Sequence, residues 1–522
     1  MRGTTTIWRA LAQARRDRLS ESGEAAPISE SPAATRRALL AGIAATGAIG
    51  TAGALAALPR GGPAFTGGRV AIVGGGMAGL SALHRLTGEG IDARLYEASR
   101  RIGGRIHTQR GEGGDPTFEV GGQLVNTDHG DMHALLREFG IALIDRKAGT
   151  HKTLVIANGK PLSQDRLVAG LGPIAAQIGA DADRLDADYA GQAPRIDRLS
   201  IAQYLDLHAD LMPEPWVRRL LEATSRSEYG AEPEAASALG LVFNLPTVEG
   251  RRVDVLGGAD ERYLIEGGSD TLPRALAARH ANRIETGRRL VRIERDGGAM
   301  RLRFADGDSA RADRVIVALP AGIAGRIAYD VPIPPIWHRF HKEIALGTNE
   351  KVQVATTARP GAQACGTGGE VWQTDAGGGW SQGWDGSVHG ASGVSPVWTW
   401  YLGGDEALAR TKPPRDQAAS FAGAVARSMP ELSPGSRVVR RTAWHRDPLI
   451  GGGYVNYAPG VLTRYAKLLW IEGAGHSRVD SGRIQFAGEH LSDAFPGYMN
   501  GAAQTGRMAA EALIGEGRAA AA

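Results

Sequence analysis

Two apolar rhythms alternate along the chain. Residues 69–73 read Arg-Val-Ala-Ile-Val, a short apolar run closed by glycines, the pattern of a strand buried on both faces. Residues 80–86, Leu-Ser-Ala-Leu-His-Arg-Leu, then repeat their apolar positions at helical spacing. A second strand is predicted at 93–96, a third at 315–319 with Pro320 as its stop, and a fourth at 484–487, followed by a helix to about 513. Buried strands of this kind, alternating with helices, predict an α/β fold with a parallel sheet.

Between these segments the texture changes. The pattern predicts helices at 201–211, 215–224, 270–279 and 416–428, and strands at 290–293 and 397–401. In the last of these, Trp398 and Trp400 share one face. They belong to a group of five tryptophans, Trp372, Trp380, Trp384, Trp398 and Trp400, which reads either as sheet core or as the wall of an aromatic cavity. No repeat is apparent.

Composition adds three constraints. At 522 residues, 43% hydrophobic and 22% charged, the chain is an ordinary globular protein with room for more than one unit. The first 60 residues hold eight arginines against four acidic residues. The rest balances at 52 basic and 52 acidic, so the body offers no electrostatic case for nucleic acid. One cysteine, Cys365, excludes an internal disulfide or a multi-cysteine metal site and reads as an inert thiol, and the histidines lack metal-ligand spacing. Arg36-Arg37 stands before an Ala/Gly-rich apolar run to Leu58, with Ala54-Leu55-Ala56 as a cleavage site. Residues 1–60 thus resemble a twin-arginine signal, and imply a protein exported folded by the twin-arginine machinery to the periplasm or medium; an uncleaved anchor is the alternative.

The chemistry begins at Gly74-Gly75-Gly76-Met77-Ala78-Gly79. Gly74 allows the tight turn, Gly76 lets a pyrophosphate approach the backbone, and Gly79 lets helix and strand pack. The helix opening at Met77-Ala78 turns its free amides to the phosphates. Glu97, followed by Ala98, ends the second strand, where an acidic side chain bonds a ribose hydroxyl.

Beyond Glu97 come Arg100-Arg101-Ile102-Gly103-Gly104-Arg105 and Phe118-Glu119-Val120-Gly121-Gly122-Gln123. At the C-terminal end come Ala487-Gly488-Glu489-His490 and Pro496-Gly497-Tyr498-Met499-Asn500-Gly501. Together these resemble the flavin-containing amine oxidases: monoamine, polyamine and L-amino-acid oxidases. The resemblance covers most of 68–515. It implies a GG-doublet, Rossmann-like FAD domain interleaved with a mixed α+β substrate domain. It places Arg105 near the pyrophosphate, Gly121, Gly122 and Gln123 along the flavin, Val291 at adenine, Gly488 and Glu489 at the ribityl-pyrophosphate, and the Met499 amide at the flavin pyrimidine. Trp444 joins the cofactor contacts. The domain division it implies is 67–146, 257–325 and 438–518 for FAD, with 147–256 and 326–437 for substrate.

The same resemblance implies three catalytic residues. Lys351, ahead of an apolar strand, matches the lysine that holds a water at flavin N5 and assists reaction with oxygen; Lys342 is its competitor. Tyr454 and Tyr498 match the two tyrosines that flank the substrate amine. Gly453 stands where some relatives carry a cysteine bonded to flavin, so FAD is expected to be non-covalent. The implied reaction oxidises an amine or L-amino acid to the imine, with O2 reduced to H2O2 and the imine hydrolysed to carbonyl and ammonia. Gln123-Leu124-Val125-Asn126 lacks the arginine with which amino-acid oxidases bind a carboxylate.

Several alternatives stay open. One is oxidative decarboxylation of the tryptophan 2-monooxygenase type. Another is a desaturase or porphyrinogen oxidase, and a third is a binding protein that kept the fold. Gly379-Trp380-Ser381-Gln382-Gly383 matches a hydrolase G-x-S-x-G, but lacks the strand and helix that motif requires. The sequence leaves subunit number open, a homodimer included.

Overall fold

The computed structural model describes residues 68–521, apart from 113–114, 150, 245, 258, 357–364, 367–368, 391–392, 410–411, 431, 433–436 and 473–480. The leader, with its arginine pair and cleavage site, lies outside the described residues.

The first unit is built on five parallel strands in the spatial order Ile284–Thr286, Ala93–Glu97, Val70–Val73, Arg314–Val317, Ile484–Phe486. The middle strands are buried on both faces, as their unbroken apolar runs require. Helix Met77–Gly88 follows the central strand, and the C-terminal helix Met499–Ala521 packs against it. A Cβ on Gly506 would fall 2.0 Å from the Ala78 carbonyl, so glycine is what permits this close crossing. An antiparallel meander, Leu290–Asp296, Ala299–Phe304 and Ser309–Ala312, flanks the sheet.

The second unit centres on seven strands, ordered Arg437–Arg441, Asn349–Ala355, Val397–Gly403, Gln382–Asp385, Glu370–Gln373, Thr153–Ala157, Lys160–Pro161. One face carries helix Pro414–Val425, over a core of Trp380, Trp398, Trp400 and Phe421. A separate core holds helices Gln164–Ala187, Tyr189–Asp197, Ile201–Leu207, Pro215–Tyr229 and Ala238–Asn244.

Several expected boundaries move. Strand Ala328–Asp330 pairs with Leu290–Asp296, and Trp337 and Phe340 sit in the first core. The chain therefore crosses to the second sheet near 345, not 326. Strand Arg437–Arg441 spans the expected return at 438 but pairs with Asn349–Ala355, so the return comes after it. The helix expected at 201–211 breaks at His208 into Ile201–Leu207 and a 3-10 turn, Ala209–Leu211. The helix expected to end at 224 runs on to Tyr229, where Gly230 closes it at φ +58. Its apolar period fades because its last inward positions are polar: Ser225 and Ser227 are buried, and Glu228 faces a cavity.

Candidate active site

A cavity of about 710 Å³ runs between the two units. Its first end is built from backbone. Gly74 sits at φ +107, and a Cβ there would meet the Ala318 carbonyl at 2.5 Å. A Cβ on Gly76 would meet nothing within 4 Å and would project into open space. Gly79 does not line the cavity; a Cβ there would fall 1.9 Å from the Gly74 carbonyl, so this glycine serves helix packing. Helix Met77–Gly88 opens with no side-chain cap and no acidic residue in its first turn, leaving an electropositive end at the cavity. Glu97 accepts from the Gly75 amide (2.6 Å) and the Ser99 amide (2.7 Å). Ala98, Gly104 and Val291 line the wall beside it.

At the middle, Arg105 donates from Nη1 to Glu489 Oε1 (2.7 Å) and to the Gly453 carbonyl (2.6 Å). Glu489 Oε2 accepts from the Gly497 amide at 2.7 Å, tying the C-terminal turn to this junction. Gly488, at φ +147, donates its amide to Thr505 Oγ1. A Cβ on Gly121 would strike the Arg105 carbonyl at 1.8 Å, and one on Gly122 would approach the Met499 sulfur at 3.3 Å. Trp444 Nε1 donates to the Val120 carbonyl (3.1 Å). Gln123 Oε1 accepts from Trp384 Nε1 (3.2 Å), while its buried Nε2 has no partner.

The far end gathers the titratable groups. Lys351 lies in strand Asn349–Ala355 and is buried, whereas Lys342 is exposed on helix Pro335–Glu343. Lys351 Nζ donates to the carbonyls of Gly121 (2.7 Å) and Glu119 (3.2 Å), 5.6 Å from the Trp384 ring centre. Burial lowers its pKa to about 8, against the pull of the Glu119 and Glu261 carboxylates. Burial also raises Glu119 to about 7, although the Ser269 amide and Thr108 hydroxyl donate to it.

Tyr454 donates its hydroxyl to the Ser227 carbonyl, so Tyr401, 3.0 Å away, donates to Tyr454. Tyr401 in turn packs edge-on against Trp384, with ring centres 5.1 Å apart. Tyr498 packs edge-on against His129, with ring centres 5.1 Å apart. Glu228 lies deep in the protein, with part of its surface open to the cavity; burial and the neighbouring carboxylates of Glu261 and Glu370 push it up to about 8. Glu261, raised to about 7, stands on left-handed backbone at φ +42. That conformation is held by Asn126 Oδ1 at its amide and by Arg146 at its carbonyl, a fixed strain of the kind found at sites.

All the site residues expected from sequence line this cavity except Gly79. Tyr401, Glu228 and Glu261 were not legible beforehand, since each is a single side chain outside any motif. Of the five clustered tryptophans only Trp384 lines the cavity; the other four are core. Ser381 is no hydrolase nucleophile: it donates to Glu406, and a strand follows it, Gln382–Asp385, where the motif needs a helix.

The cavity fits a flavin dinucleotide. The open space at Gly76 and the uncapped helix suit a pyrophosphate, Glu97 stands where a ribose would lie, and the unpartnered Gln123 amide awaits a polar edge. Cys365, the chain's one cysteine, is buried in the core beneath helix Pro414–Val425, so no thioether can form.

Comparison with known proteins agrees. Residues 77–514 match the family described as flavin-containing amine oxidoreductase. An L-amino acid dehydrogenase of Synechocystis sp. is 25% identical over 471 residues, covering 85% of this chain and 94% of its own. Polyamine oxidase 1 of Oryza sativa subsp. japonica is 28% identical over 507 residues, covering 84% and 96%. Among solved structures, cyclohexylamine oxidase from Brevibacterium oxydans superposes with a TM-score of 0.73 at 21% identity, covering 86% of this chain and 99% of its own. Putrescine oxidase bound to putrescine superposes at 0.69, also at 21% identity, with the same coverage. The chain belongs to the flavin-containing amine oxidoreductases, enzymes whose cofactor is FAD.

Proposed function

We propose that this protein oxidises a small amine without a carboxylate, using non-covalent FAD and oxygen. FAD, when bound, supplies a two-electron acceptor that side chains lack. The balance is simple. R–CH2–NH2 loses two electrons and two protons to become R–CH=NH, O2 takes both as H2O2, and water hydrolyses the imine to carbonyl and ammonia.

The chain's residues position and exclude. Tyr454 and Tyr498 flank the amine, with Tyr401 and Trp384 completing an electron-rich enclosure. Tyr401 fixes the Tyr454 hydroxyl, and the Ser227 carbonyl anchors its other side. Lys351 spends two N–H donors on Gly121 and Glu119, leaving a third for a water near the flavin edge.

One observation carries the reading. The far end is aromatic, with Tyr401, Tyr454, Tyr498 and Trp384, and its carboxyl groups Glu228 and Glu261 outnumber its one lysine, Lys351. The arginines that line the cavity, among the described residues, come from the segments 100–105, 288–289 and 326, and Arg105 is already paired with Glu489. Such a wall attracts a cation and disfavours a substrate carboxylate. The names of the polyamine, cyclohexylamine and putrescine oxidases point to the same substrate class. That of the L-amino acid dehydrogenase names the competitor.

The deciding experiment is an anaerobic spectral titration of the FAD-loaded protein with amines and L-amino acids, then admission of oxygen with a peroxide assay. Bleaching by amines and stoichiometric peroxide are expected. Bleaching by amino acids alone, or by nothing, overturns the proposal. Export by the twin-arginine route is part of it, on the strength of Arg36-Arg37. Changing both to lysine is expected to retain the protein inside the cell; undiminished export refutes the route.

A further inference from the structure

Three consecutive carbonyls in the segment expected along the flavin are held by two separate elements. Lys351 Nζ donates to the carbonyls of Glu119 and Gly121, Gln353 Nε2 donates to that of Glu119 at 2.8 Å, and the Trp444 indole donates to that of Val120. Lys351 and Gln353 stand on strand Asn349–Ala355, and Trp444 on the 3-10 turn Trp444–Arg446. Strand Arg437–Arg441 stops before that turn, so ladder pairing alone does not join the two.

What joins them is a buried acid. Side chains alternate along a strand, so with Lys351 in the cavity Glu350 points to the opposite face. Glu350 is fully buried and lies outside the cavity wall. The Lys351 amide donates to Thr442 Oγ1 at 2.7 Å, and the Thr442 amide donates back to the Lys351 carbonyl at 3.0 Å. The Thr442 hydroxyl donates to Glu350 Oε2. Glu350 Oε1 accepts from His445 Nδ1 at 2.7 Å and, more weakly, from the His445 amide at 3.4 Å. A carboxylate only accepts, so Nδ1 carries the proton. The His445 side chain is 17% exposed, and its neighbour in sequence is Trp444. The chain of bonds thus runs from the Lys351 backbone through Thr442 and Glu350 to the residue beside Trp444. A buried carboxylate is costly even when paired, and packing alone does not call for one here.

We propose that Glu350 and His445 are positioning residues for the reaction of the reduced flavin with oxygen. Neither lines the cavity. Through Thr442 they fix the backbone of Lys351, and through the adjoining main chain they fix Trp444. The lysine's third N–H then keeps its direction toward the flavin edge. This inference rests on the role given to Lys351 above, and its test lets the two fail separately.

The test compares His445→Leu, which removes the Nδ1 donor, with His445→Asn, whose amide restores a donor near that place. Thr442→Val breaks the chain at its other link. Reoxidation by oxygen is followed by stopped-flow absorbance after reduction of the FAD-loaded protein with dithionite, so it needs no substrate. His445→Leu and Thr442→Val are expected to slow it about fivefold or more, the effect of one lost hydrogen bond, while His445→Asn keeps most of the rate. Flavin reduction by an amine is expected to change less than about twofold. In a Lys351→Met background His445→Leu should add less than about twofold, because residues that act through one another are not additive. A second readout needs no flavin. In the apoprotein His445→Leu and Thr442→Val should each lower the melting temperature by about 3 °C, and together by little more than one alone. Unchanged reoxidation in both variants, an undiminished effect in Lys351→Met, or additive melting losses overturns the inference. If Lys351→Met itself leaves reoxidation untouched, the role of the lysine fails and the inference with it. If Lys351→Met slows reoxidation and the other two variants do not, only the inference fails. If His445→Leu does not fold, Thr442→Val alone and in the Lys351→Met background decides.

Discussion

Replacing Glu228, a buried carboxyl group that lines the cavity, with glutamine should make the protein more stable. The carboxyl ionises at 4.5 when unperturbed and at about 8 in the folded protein. Between these values the folded state holds a proton that the unfolded state has released. Stability therefore falls as pH rises from 4.5 through 8, and glutamine, which never ionises, escapes that loss. At pH 7 the gap is 2.5 pH units, worth about 3 kcal/mol, an upper figure because the group also touches the cavity. At pH 5 the same arithmetic leaves less than about 1 kcal/mol. For a protein of this size, 3 kcal/mol corresponds to about 3 °C in melting temperature. The assay is a melting series of wild type and Glu228→Gln, both FAD-loaded, from pH 5 to 8.5. The variant's gain should be near zero at pH 5 and grow toward pH 8. A gain that does not vary with pH, or a loss at pH 7.5, would refute the argument that burial holds this carboxyl protonated.

Four other predictions test separate pieces. Lys351→Met should slow reoxidation by oxygen by roughly tenfold or more and flavin reduction by less, read by stopped-flow absorbance of each half-reaction. Tyr401→Phe keeps the ring against Trp384 but removes the proton given to Tyr454, and should lower kcat/KM for the best amine about fivefold, the effect of one hydrogen bond. Gly76→Ala should leave the apoprotein melting point unchanged and weaken FAD binding at least tenfold, because its φ of −77 suits alanine and the new methyl group projects into the cavity. Gly79→Ala should instead depress the melting point itself, since its Cβ would strike the Gly74 carbonyl; the same melt and a flavin titration separate the two.

What was legible in the sequence divides along physical lines. The turn at 74–79, the acidic strand end at Glu97 and the turn at 496–499 depend on backbone shape, which glycine and short spacing record locally. The polar tail of helix Pro215–Tyr229 was illegible for the opposite reason. Ser225, Ser227 and Glu228 occupy inward positions, so the apolar period that marks a helix stops while the helix continues. The crossings near 345 and after 441 were misplaced because Trp337, Phe340 and strand Arg437–Arg441 are apolar or β-forming residues that would suit either unit. The same holds for the tryptophans: a residue facing the core and one facing a cavity read alike until the sheet order is known.

The two ends of the cavity are therefore free to change separately. The dinucleotide end is made of turns in which two glycines meet backbone carbonyls, at 2.5 Å for Gly74 and 1.9 Å for Gly79, so a side chain at either breaks the chain's own packing. The substrate end is assembled from Glu228 on a helix, Gln382, Trp384 and Tyr401 on two neighbouring strands, Glu261 on a strained loop, and Tyr454 and Tyr498 on two turns. Each of these contributes one side chain, and Trp384, Tyr401 and Tyr454 are linked by a ring edge and a hydroxyl. Replacing one alters what the cavity accepts without moving the sheet that holds the cofactor. Identity of 21–28% therefore suffices to carry the fold and the flavin among relatives named for amines, a polyamine and amino acids.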